Sequence, residues 1–74
     1  MDMQNIESLP PSLAVLPPRM MLRAIDINKP YVAIKGELSA LESKKRHLWA
    51  VARKVGVKLT SQIIEDQLVI MKIE

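Results

Sequence analysis

The groups in this chain that could do chemistry are mostly cations. Lys44, Lys45, Arg46, Arg53, Lys54 and Lys58 crowd a stretch in which no Asp or Glu occurs from residue 43 to residue 64. Trp49 stands among them. Such a set could neutralise phosphates while the indole stacks on a base, or it could meet an acidic protein surface. Other chemistry is poorly provided for. There is no cysteine, His47 is the single histidine, and the two glycines, Gly36 and Gly56, are too far apart for a phosphate-cradling loop. A serine nucleophile would lack a base, because the lone imidazole sits in the charged run. The expectation is a binding protein and not an enzyme, with no cofactor and no metal.

The charge is uneven along the chain. Residues 35–58 carry seven positive and two negative groups, whereas residues 59–74 carry one positive and three negative, within a net charge of +3. Residues 1–34 balance to zero. The basic segment must therefore be a distinct element, and its periodicity says which. Leu41, Leu48, Ala52 and Val55 fall on one helical face, with Arg46, Ala50, Arg53 and Lys54 opposite and Trp49 on the shoulder. Lys44 and Lys45 lie nearer the apolar side, where their stems can run along it. Ser39 and Glu42 have the spacing of a capping box, and Gly56 suits a left-handed stop. A helix over residues 40–55 follows.

Beyond Gly56 the period changes to two, with Val57, Leu59, Ser61 and Ile63 alternating against Lys58, Thr60 and Gln62. The run Leu68 to Ile73 reads as a second strand. A three-residue loop, Glu65-Asp66-Gln67, would pair Ile63 with Val69 and Leu59 with Ile73, setting Val57, Leu59, Ile63, Val69, Met71 and Ile73 on one face for the helix. A two-residue loop would scatter apolar groups over both faces, so the alternation selects the longer loop. Residues 31–35, rich in strand formers and ending at Gly36, supply a third strand.

Four of the five prolines form the doublets Pro10-Pro11 and Pro17-Pro18. Proline removes a donor and pushes its predecessor toward extended geometry, so residues 1–18 read as a flexible arm. Between the doublets, Leu13 and Leu16 could order on a partner. The expected fold is α+β: one helix on a two- or three-stranded antiparallel sheet in residues 19–74, behind a disordered N-terminal arm. At this size a chain buries only about 60% of its unfolded surface, so the core is small. No apolar run approaches the roughly twenty residues of a membrane span, and Met1-Asp2-Met3 lacks the basic start of a secretory signal. A cytoplasmic monomer is expected.

Two resemblances bear on function. From Lys44-Lys45-Arg46-His47-Leu48, through Ala52-Arg53-Lys54-Val55-Gly56-Val57-Lys58, to Leu68-Val69-Ile70-Met71-Lys72-Ile73, the chain resembles a class of very small phage proteins. In these a basic helix runs into a hairpin that ends in an apolar-basic-apolar strand. The resemblance implies a regulator that binds a host machine, with a subunit of RNA polymerase as the expected target and inhibition or altered termination as the outcome. Separately, Leu9-Pro10-Pro11, Asn28-Lys29 and Lys35-Gly36 look like the region preceding the catalytic domain of Fic adenylyltransferases. Ser61 and Glu65 are similar to the Ser-x-x-x-Glu of their inhibitory helix. That likeness implies an antitoxin-like inhibitor and requires a helix over residues 61–72. A third reading, helix-turn-helix, rests on Ala52 four residues before Gly56. The partner surface expected from all this is Lys44, Lys45, Arg46, Trp49, Arg53, Lys54 and Lys58, with Leu13 and Leu16 from the arm. Nucleic acid is the alternative partner.

Overall fold

A computed structural model describes residues 6–73. In chain order the elements are β1 (Glu7–Ser8), α1 (Pro11–Ala14), α2 (Pro18–Ala24), β2 (Pro30–Lys35), α3 (Leu38–Val55), β3 (Leu59–Ile64) and β4 (Gln67–Lys72). The strands form one mixed sheet in the order β1-β2-β4-β3. β1 pairs parallel with β2, and β4 runs antiparallel to both of its neighbours. Strands β2 and β3 are therefore parallel to each other, joined across β4 by α3. The fold is α+β as expected, but the sheet has four strands with one parallel pair, not two or three antiparallel ones.

The proline doublets explain the largest difference. In each, the first proline is an extended N-cap (Pro10 ψ 145°, Pro17 ψ 150°) and the second is the first residue of a helix. Proline suits that position because its missing N–H would have no helical partner there, and its φ is already helical. The doublets start α1 and α2 instead of preventing them. Residues 6–18 are thus folded, and Leu9, Leu13 and Leu16 pack against the core, contrary to the expected mobile arm. Residues 1–5 of that arm lie outside the described residues. At the sheet's far edge, Lys29 binds Glu7 at 3.2 Å and lies 5.7 Å from the centroid of the Tyr31 ring. The hydrogen bond from Lys29 to the Glu7 carboxylate, with its charge, raises the lysine pKa above the ordinary value.

Helix α3 begins at Leu38, earlier than the capping-box reading. Glu37 is the N-cap, no side chain caps it, and Ser39 lies inside the first turn. The other end is as read: Gly56 takes φ 76°, and the Val57 amide donates to the Ala52 carbonyl at 2.9 Å. Leu41, Leu48 and Ala52 are buried beneath the helix and Val55 is half-buried.

The hairpin register is the one that alternation rejected. Two residues, Glu65 and Asp66, make the turn, and Ile63 pairs with Leu68, Ser61 with Ile70 and Leu59 with Lys72. Glu65 takes a positive φ of 56°, the sign on which two-residue hairpin turns depend. Leu68 and Ile70 consequently join Leu22, Leu41 and Leu48 in the core, while Val69 and Met71 point to the opposite face and are buried as well. Alternation has no force here, because β4 is central and apolar on both faces. A bulge at Ala33 shifts β2 against β4, so that Tyr31 and Ile34 both take helix-side positions, opposite Ile70 and Leu68. Strands occupy Leu59–Ile64 and Gln67–Lys72, so neither the inhibitory helix over residues 61–72 nor the second helix of a helix-turn-helix is present.

Past its apolar run β4 ends in Lys72, which is 8% exposed. Its ammonium donates to the carbonyls of Leu22 at 3.2 Å and Arg23 at 3.0 Å. Those carbonyls belong to the last turn of α2 and lack helical partners, and the helix dipole favours a cation there. Replacing Lys72 by Met keeps the stem but loses both bonds. Lys72→Met should cost about 1–3 kcal/mol in a urea melt and speed amide exchange in α2. Leu48→Ala, deleting a side chain with no exposure, should cost about 2–5 kcal/mol by the same assay.

Candidate functional site

The outer surface of α3 is laid out by helical spacing. Lys45, Trp49 and Arg53 follow one another at intervals of four and form a stripe, with Arg46 and Ala50 beside it. The helix lies close enough to β3 for the Trp49 indole N–H to donate to the Ser61 hydroxyl at 3.0 Å. Ser61 reaches the helix because the two-residue turn places it opposite Ile70, on the helix side of the sheet. The alternation reading also put Ser61 on that face, but nothing in the sequence paired it with Trp49.

Trp49 is 48% exposed, so a large part of the ring remains open to a partner. It forms a ridge between two depressions. On one side Lys45, Arg46, Ala50, Arg53 and Ser61 line a hollow of about 350 Å³; on the other, Val57, Lys58, Leu59 and Ile73 continue the surface past Arg53. An aromatic ring with cations on both sides can take an apolar or planar group on its face while the cations hold anionic groups. Glu42 borders the patch at Lys45 and Arg46.

The expected site residues divide into three groups. Lys45, Arg46, Trp49, Arg53 and Lys58 are gathered on the continuous surface just described, and Lys44 is half-buried on the same helix. Lys54 faces elsewhere, sharing a separate depression with Arg19, Met20, Arg23 and Val55 where α2 approaches the end of α3. Leu13 and Leu16 are partly buried and pack against the core beside α1 and α2, away from the α3 stripe. Arg19 and Arg23, on α2, join the Lys54 depression although the sequence reading does not include them in the partner surface. Their spacing of four, just after Pro18, was the available signal of a shared helical face. No three His, Cys, Asp or Glu side chains gather into a metal-binding group among the described residues.

Trp49 is the single tryptophan, so its fluorescence reports on this site directly. Ser61→Ala removes the acceptor of the indole N–H. It should shift the emission to longer wavelength and increase quenching by acrylamide, at a stability cost of about 0.5–1 kcal/mol. An unchanged spectrum would mean that the hydrogen bond does not hold the ring.

The chain matches no protein-family model, no curated protein and no solved structure, so the geometry of the α3 face carries the functional reading.

Proposed function

We propose that the protein acts by stoichiometric binding, docking the outer face of α3 on an acidic surface of a partner protein. The observation that carries this is Trp49, half exposed, tied to Ser61 and set in the same stripe as Lys45 and Arg53 with Arg46 alongside. A rigid aromatic with cations beside it is the kind of group that dominates binding energy at protein interfaces. A protein partner fits better than a nucleic acid because the patch holds one aromatic residue, is bordered by Glu42, and adjoins a hairpin whose turn is Glu65 and Asp66. The resemblance to small phage regulators makes a bacterial RNA polymerase subunit the first partner to test. With Leu13 and Leu16 packed inward, the reading rests on the helix face and not on a two-part site with a mobile arm.

One observation favours the nucleic-acid alternative. Arg19, Arg23 and Lys54 line a second depression, so the cations extend from the outer face of α3 toward α2. Two cationic areas could follow a phosphate backbone.

The partner recovered and the salt dependence of binding together decide between these readings. The wild-type protein should recover a polymerase subunit from bacterial lysate in roughly equimolar amount, and the Arg46→Glu, Arg53→Glu double variant should recover none while melting normally. Nucleic-acid binding would instead show a log–log salt slope of about −0.9 for each phosphate neutralised on duplex DNA. Arg19→Ala or Arg23→Ala would then lower that slope by about one unit each.

A further inference from the structure

The sheet has an open edge beside the Trp49 hollow. β3 is the last strand in the order β1-β2-β4-β3, and among the described residues no strand pairs with its outer side. Its six residues, Leu59–Ile64, include no charge and no proline, the usual means by which an edge strand is kept from pairing. Half of its backbone N–H and C=O groups therefore point outward along a ladder whose register shows no shift. The opposite edge is different. There β1 covers part of β2, and Glu7 and Lys29 put an ion pair beside it.

We propose that an extended, acidic segment of a partner protein adds as a fifth strand on β3. This deepens the binding role argued above and rests on it. A strand added there would alternate its side chains between the two faces of the sheet. Every second residue would point to the helix side, where Ser61 borders the hollow lined by Lys45, Arg46, Trp49, Ala50 and Arg53. Carboxylates at those positions meet the cations, and an apolar residue between them meets the indole ring. The main chain supplies affinity and the hollow supplies selection.

Charge also decides against a second copy of this chain as the occupant. A two-fold axis through paired β3 strands would keep both helices on one side of the enlarged sheet. Each copy's Lys45, Arg46 and Arg53 would then approach the other's across the same junction, an arrangement that like-charge repulsion opposes. An acidic strand removes that conflict.

The probe is a displayed library of random linear peptides, selected on the intact protein. Enriched peptides should carry an acid, an apolar residue and an acid at successive alternate positions (i, i+2, i+4) and should lack central proline. Bound peptide should slow the exchange of alternate β3 amides. Methylating the peptide's backbone nitrogens, which leaves its charge unchanged, should weaken binding about tenfold or more, as should the Arg46→Glu, Arg53→Glu variant. Binding that depends on Arg46 and Arg53 but leaves β3 exchange unaltered and tolerates methylation overturns strand addition while leaving the α3 reading in place. Failure to enrich acidic peptides also overturns strand addition, and recovery of the polymerase subunit still decides the α3 reading separately. Dimerisation of the free protein through β3, seen by sedimentation, would overturn the proposed occupant.

Discussion

The arrangement of the molecule depends on β4 lying in the middle of its sheet. The strand pairs with β2 on one side and β3 on the other, and its apolar run, Leu68 to Met71, is buried throughout. Leu68 and Ile70 carry the helices, while Val69 and Met71 lie between Val32 and Pro30 of β2 and Gln62 and Thr60 of β3 on the other face. Burying four consecutive large apolar residues is a strong drive for so small a chain. The Lys72 ammonium then ends the run by holding the last turn of α2, which joins the sheet to the N-terminal half.

From that position follow the places of the other strands. β3 is sent to an edge by occupying one side of β4, and α3 must cross β4 to connect β2 with β3. Its path brings Trp49 over Ser61 and leaves the cations of α3 beside the outer strand. The binding face is thus a consequence of topology: a helix that buries one side on the sheet has to present the other. Its last turn carries Arg53 and Lys54, where the helix dipole favours cations. Placing charge there is favourable for the fold as well as useful to a partner.

The N-terminal third contributes through packing. With α1 and α2 laid against the same side as α3, Met21, Leu22 and Ile25 complete a core that α3 could not close alone. A single helix on a hairpin would leave Leu68 and Ile70 partly open, and two-stranded sheets are marginal in water. This is why residues 6–18 are structured although short and proline-rich. Their leucines pack against the core, and Arg19 and Arg23 on the following helix, α2, enlarge the cationic surface.

The sequence by itself determined the elements whose signals are local. The α3 helix, its stop at Gly56, the strand-forming segments and the cationic character of the outer helical face could all be read from residue spacing. Each is decided by neighbours within a turn or two, by helical periodicity or by the backbone freedom of glycine. Tertiary structure decided the rest. Alternation cannot set the register of a strand covered on both faces, so the two-residue turn and the pairing of Ser61 with Ile70 emerged only with β2 in place. The bulge at Ala33 let Tyr31 and Ile34 share a face that a regular strand would deny them. The proline doublets read locally as an extended arm, and the short helices they start persist only because a core receives Leu13, Leu16 and Leu22. The Trp49–Ser61 bond and the Lys72 cap join residues 12 and up to 50 positions apart, and only long-range packing brings them together.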